Sequence, residues 1–168
     1  KEKKFKIRVI STGQHKDLIN DVLGFFEISI DNDLSLMKAN QSLGYLTSSI
    51  INCLEVEFTK YPPKIVIVQG DTTSAFAAGL AAFYLKIPVG HVEAGLRTEN
   101  LFEPYPEEAN RRLISQIADM HFAPTKKSYQ NLKNLGIKDN LYMTGNTVID
   151  SLKIASKKID NLKFFDFD

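Results

Sequence analysis

Short β-branched runs alternate along this chain with longer segments whose apolar residues recur every three or four positions. That is the pattern of a parallel sheet with crossover helices. The spacing predicts strands over Lys6–Ser11, Ile65–Gln69, Val89–Glu93, Met120–Ala123 and Leu141–Thr144. It predicts helices over Lys16–Phe25, Ser42–Phe58, Thr73–Leu85, Glu107–Ile117, Lys126–Leu135 and Val148–Lys157. Pro62-Pro63, Pro88 and Gly136 punctuate the joints. The run Ile65-Val66-Ile67-Val68 is apolar at every position, as expected of a strand covered by helices on both faces. The fold class implied is α/β, a Rossmann-like doubly wound parallel sheet. Along the helix over 42–58, Leu43, Leu46, Ile50 and Leu54, with Ile51, Cys53 and Phe58 beside them, make a wider apolar surface than one side of a sheet requires. The surplus points either to core packing or to a contact between two copies in a homodimer.

Composition narrows the classes. A chain of 168 residues with 43% hydrophobic and 24% charged residues can bury a core without disulfides or a metal, and lies outside the disordered range. Twenty-one basic residues against 20 acidic leave a net charge of +1, so no global field holds a nucleic acid or an anionic membrane as partner. No apolar run approaches the ~20 residues of a membrane-spanning helix. The start, Lys1-Glu2-Lys3-Lys4-Phe5-Lys6-Ile7, lacks the apolar segment of a signal peptide. Together with the single cysteine, Cys53, this predicts a cytoplasmic protein. The chain opens on Lys1 and closes on Phe164-Phe165-Asp166-Phe167, phenylalanines with little to pack against, and so reads as a fragment.

Candidate chemistry gathers at the carboxyl ends of the strands, where open parallel sheets collect ligands. Asp71 and Thr72 follow the strand over 65–69; each is either a helix N-cap or a ligand contact. His91 and Glu93, two residues apart, project from one face near the next strand's end, and Gly95 lets the backbone turn. Glu93 is a functional carboxylate or the partner of Arg97. In Pro106-Glu107-Glu108-Ala109-Asn110-Arg111-Arg112, Pro106 suits the first helical position, and Glu107–Arg111 and Glu108–Arg112 have i, i+4 spacing. Asp71, Glu93 and Glu107 emerge at one rim, and convergent carboxylates point to acid/base work. His15, after Gln14, lies on the same rim, whereas His121 reads as a core histidine. Gly145-Asn146-Thr147 caps the last helix or meets a ligand. The histidines lack metal-ligand spacing, and no GxGxxG, Walker or GxSxG motif is present, so neither a metal nor a cofactor is predicted.

The segments TGQH, GDTTSAF, HVEAGLRT, PYPEEANR and TGNTVIDSL, in this order, closely resemble the non-hydrolysing UDP-N-acetylglucosamine 2-epimerases. The resemblance runs over nearly the whole chain. It implies the first half of a glycosyltransferase-B-like two-domain enzyme of polysaccharide biosynthesis, which interconverts UDP-N-acetylglucosamine and UDP-N-acetylmannosamine. Residues 1–147 are then a Rossmann-like domain lacking its first strand, with that strand's GTRPE-type loop. Residues 148–168 lead toward a C-terminal domain that would be the chain's missing partner. Asp71, Glu93 and Glu107 are implied to be catalytic. Gln14, His15, Thr72, His91, Arg97 and Arg111 are implied to bind the UDP-sugar beside Asp71 and Glu93. Family members under substrate regulation carry a glutamine and an arginine where Asp17 and Ser49 stand here. An epimerase of a modified sugar nucleotide such as a diacetamido-uronate, or a non-catalytic nucleotide-sugar-binding remnant, are the alternatives. The isolated chain is expected to be inactive.

Overall fold

The computed structural model describes residues 5–13 and 16–160. Among the described residues, twelve elements alternate strictly: β1 (Ile10–Ser11), α1 (Lys16–Phe25), β2 (Asn32–Asp33), α2 (Leu43–Lys60), β3 (Val66–Gln69), α3 (Thr73–Tyr84), β4 (Val89–Val92), α4 (Glu107–Ile117), β5 (Met120–Ala123), α5 (Lys126–Asn134), β6 (Leu141–Met143) and α6 (Thr147–Asp160). All strand pairs are parallel. They form a β1-β2 pair and a sheet of order β3-β4-β5-β6.

The helix starts follow local chemistry. Ser42, Thr72 and Thr125 each turn a side-chain oxygen back to accept the backbone N–H three residues on, which satisfies a donor the helix cannot. Asn146 caps α6 by accepting the N–H of Val148, two residues on, at 3.0 Å. Pro106 departs from expectation: it is the N-cap of α4, not its first helical residue, and α4 begins on Glu107 without a side-chain cap. Two negative charges in the first turn, Glu107 and Glu108, compensate through the helix dipole.

Two strand expectations need correction. Of the strand expected over Lys6–Ser11, only Ile10–Ser11 pairs. Its partner β2 is just Asn32–Asp33, and Phe5 and Ile7 stand 78% and 77% exposed. The sequence reading omitted β2 because two polar residues carry no period-2 signal. Next to this pair, the buried Glu57 carboxylate of α2 accepts from Arg8 Nε at 2.7 Å and from Asn32 Nδ2 at 2.9 Å, tying the first segment to α2.

The main core lies between α2, α3 and the strands. Leu46, Ile50, Leu54 and Phe58 of α2 pack with Ala77, Ala81 and Ala82 of α3, Val68, Val89 and Ile114. The alanines allow α2 and α3 to approach closely. Leu46, Ile50, Leu54 and Phe58 on the apolar face of α2 are therefore covered within this chain, while Leu43 at its start stays 40% exposed. A second cluster, Ala94, Ala123 and Leu132, seats α5 under the far side of the sheet.

Candidate active site

The site is built where β3 and β4 end. After Gln69 the chain turns at Gly70, whose φ of +71° is in the left-handed region that glycine tolerates. Thr72 then caps α3, so the capping role considered for Asp71 falls to its neighbour. Asp71 instead turns its Oδ2 to the Arg111 guanidinium of α4, accepting from Nε at 2.7 Å and lying 2.6 Å from Nη2. Asn110 Nδ2 donates to the Asp71 carbonyl at 2.8 Å, so α4 holds this residue by both side chain and backbone.

β4 ends one residue earlier than expected. Val92 is its last residue, and Glu93 turns out of the strand with a φ of +64°. A non-glycine residue held there costs free energy that the surrounding structure must offset. The turn carries the Glu93 carboxylate over Gly70: Oε2 lies 3.7 Å from where a Gly70 side chain would begin. Gly95 follows with a φ of +90°, and a side chain there would press on the Ser128 backbone and Leu132 of α5. Glycine is thus required at 95 both for conformation and for close approach.

His91 is wholly buried. Its Nε2 lies 2.8 Å from the Gly70 carbonyl. A carbonyl only accepts, so Nε2 carries the proton, and the neutral ring holds the turn that presents Asp71. Burial pushes its pKa down to about 4. Next to it in register on β5 is His121, also buried and also pushed down by burial, in agreement with its reading as a core histidine.

Arg97 does not pair with Glu93. Its Nη1 donates to the Leu96 carbonyl and its Nη2 to Ser115 Oγ at 2.7 Å, while burial lowers its pKa. The expected Glu107–Arg111 pair is likewise replaced. Arg111 takes Asp71 across the site and Glu108 at i, i+3, while Glu108 also takes Arg112 at i, i+4 as expected. Glu107 is left facing a cavity of about 250 Å³ that it lines with Met37, Gln41, Leu46, Thr72 and Asn110. Its Oε2 is buried without a hydrogen-bond partner among the described residues.

The site residues named from sequence therefore fall into distinct places. Asp71, Glu93 and Arg111 gather around the Gly70 turn, Thr72 and Glu107 face the adjoining cavity, His91 supports from beneath, and Arg97 faces Ser115. Gln14 and His15 lie outside the described residues. The sequence marks Glu108 only as half of an i, i+4 pair with Arg112, yet its side chain is wholly buried. Asn110 was missed altogether. The signal available for Glu108 was two arginines at i+3 and i+4, more cation than one solvated glutamate calls for.

Residues 1–165 match the family model described as UDP-N-acetylglucosamine 2-epimerase. The chain belongs to this family. A UDP-N-acetylglucosamine 2-epimerase of Neisseria meningitidis is 52% identical over 153 residues, 90% of this chain and 41% of that protein. One from Salmonella borreze is 50% identical over 155 residues, 92% of this chain and 41% of that protein. The crystal structure of the N. meningitidis enzyme bound to UDP-GlcNAc superposes with a TM-score of 0.91 at 50% identity, covering 95% of this chain and 43% of that one. The Methanocaldococcus jannaschii enzyme in complex with UDP-GlcNAc and UDP does so with a TM-score of 0.87 at 31% identity, covering 95% and 44%. This chain of the epimerase family thus spans about two-fifths of the length of the relatives it matches. Among the described residues, no helix is long and apolar enough to cross a membrane.

Proposed function

We propose that this chain forms the first wall of the cleft of a non-hydrolysing UDP-N-acetylglucosamine 2-epimerase, interconverting the UDP derivatives of N-acetylglucosamine and N-acetylmannosamine. The observation that carries the reading is the meeting of Asp71, Arg111 and Glu93 around one turn at the carboxyl end of a parallel sheet. It stands in a chain half identical to enzymes of that name.

The chemistry accounts for the carboxylates. The C2 hydrogen of the sugar is not next to a carbonyl, so a carboxylate of ordinary basicity cannot remove it unaided. Departure of UDP from C1 leaves an oxocarbenium-like centre that acidifies the C2–H. A carboxylate then takes the proton to give 2-acetamidoglucal, and re-addition of UDP with protonation on the opposite face inverts C2. Asp71, Glu93 and Glu107 are assigned to stabilising that centre and shuttling the proton. Thr72, His91, Arg97 and Arg111, with Gln14 and His15, are assigned to substrate binding and support, and no cofactor is assigned.

The same reading makes residues 1–147 a Rossmann-like domain and 148–168 the lead into a second domain that closes the cleft in the glycosyltransferase-B manner. The strands divide into the β1-β2 pair and the sheet that begins at β3, and one strand joining them would give the doubly wound order 3-2-1-4-5-6 with β6 as a seventh strand at the far edge; this supports a first strand supplied from outside the chain. A cytoplasmic homodimer acting on UDP-sugar is part of the proposal, and a complete protein that sediments as a monomer at micromolar concentration would remove the dimer from it.

The test uses the chain within an enzyme of the relatives' full length, incubated with UDP-N-acetylglucosamine in heavy water. Deuterium at C2 and formation of the manno epimer are expected. Faster turnover of a UDP-diacetamido-uronate would move the assignment to that substrate, and binding without exchange would leave a nucleotide-sugar-binding protein.

A further inference from the structure

Glu108 is the one wholly buried carboxylate among the described residues, and both of its oxygens accept hydrogen bonds. Burying a carboxylate is costly unless its partners are charged and well placed. Here Oε1 accepts from Arg112 Nε at 2.8 Å, and Oε2 accepts from Arg111 Nη1 at 3.1 Å and from the Thr98 N–H at 3.2 Å. Burial works against its ionisation, but the donors from Arg112, Arg111 and Thr98 prevail and hold its pKa below the usual carboxylate range.

The partners lead to the site in two directions. Arg111 spans Glu108 and Asp71: Nη1 is spent on Glu108, which leaves Nε and Nη2 aimed at Asp71 Oδ2. Without Glu108 the guanidinium keeps only one anchor and is free to swing with Asp71. Arg112 donates from Nη2 to the Thr98 carbonyl at 3.1 Å while Glu108 takes the Thr98 N–H, so both backbone groups of Thr98 are fixed. Thr98 lies five residues after Glu93 in the connection that leaves β4. One buried charge thereby couples the segment bearing Glu93 to the helix that holds Asp71.

We propose that Glu108 is a positioning residue for the epimerase reaction: it touches no reacting atom, and sets Asp71 through Arg111 and the Glu93 connection through Thr98. This rests on the function proposed above. A small misplacement of a reacting group can cost ~10² in rate, so the loss belongs in turnover and not in affinity.

The experiment compares Glu108→Gln, Arg111→Lys and the double variant in the full-length enzyme. It reads kcat and KM for deuterium exchange at C2 of UDP-N-acetylglucosamine, and the urea midpoint of unfolding. Glu108→Gln is expected to lower kcat ~10- to 100-fold with KM changed by less than about threefold, and the double variant to lose no more than the worse single one. Normal kcat per folded molecule in Glu108→Gln, even with a lowered urea midpoint, would overturn the proposal, as would losses that multiply in the double variant. If Glu108→Gln does not fold, Glu108→Asp decides in the same cycle. It keeps the charge one methylene short, and wild-type kcat in it would overturn the proposal. Absence of exchange in the unsubstituted enzyme would instead sink the epimerase reading itself, and the positioning role with it.

Discussion

Acid should weaken this fold, because two neutral histidines are locked in the sheet. His91 is fully buried, and burial lowers its pKa from 6.5 to about 4. The folded value is below the unfolded one, so the stabilisation is complete above about pH 6.5 and disappears as the pH falls toward 4. That gap corresponds to about 3 kcal/mol in all, of which about 2 kcal/mol is gone by pH 5. His121, lowered by the same cause, adds a loss of the same sign. The assay is urea unfolding at half-unit steps from pH 7.5 to 4, on the chain and on His91→Gln. Glutamine keeps an amide donor for the Gly70 carbonyl and has no titrating ring. Between pH 6.5 and 4.5 the variant should lose stability with a shallower slope than the wild type, with His121 supplying what is left. Parallel pH dependences in the two proteins would refute the reasoning, since His91 would then titrate alike folded and unfolded.

Other consequences follow from single contacts. Gly95→Ala adds a carbon 2.8 Å from the Ser128 carbonyl carbon and 2.9 Å from Leu132 Cδ1, at a φ of +90°. A loss of about 3 kcal/mol or more in unfolding free energy is expected, and a loss under about 1 kcal/mol would show that α5 yields freely. Glu93→Gln in a full-length enzyme should keep the fold and substrate affinity while turnover falls by about 10² or more, and near-normal turnover would retire its catalytic assignment. The isolated chain, with one wall of the proposed cleft, should exchange no deuterium into C2 of UDP-N-acetylglucosamine above a no-protein control; exchange would show that one wall suffices.

Elements with a local cause were legible in the sequence. The apolar runs of β3 and β5, the helical periodicity from α2 to α5, and the hydroxyl cap at Thr72 each depend on residues within one turn of one another, and each falls within a residue or two of its expected place. The carboxyl-end rim of a parallel sheet also follows from topology alone, which is why Asp71 and Glu93 could be singled out. The family was legible for the same reason, through motifs that sit on those rim turns.

Partner choice was not local. Glu107 and Glu108 are chemically equal and adjacent in the chain, yet one faces a cavity and the other is sealed beneath Arg111 and Arg112. Arg111 had an i, i+4 glutamate available and instead took Asp71, 40 positions away, because packing of α4 on α3 brought that carboxylate within reach. The pairing of Asn32–Asp33 with Ile10–Ser11 and the turn at Glu93 out of β4 likewise depend on distant backbone. Periodicity and capping are properties of a few neighbouring residues, so sequence alone determined where helices and strands run and which rim carries the chemistry. Which charges are buried, and against which partners, is a competition among distant groups for desolvated space, and only the assembled tertiary structure resolves it.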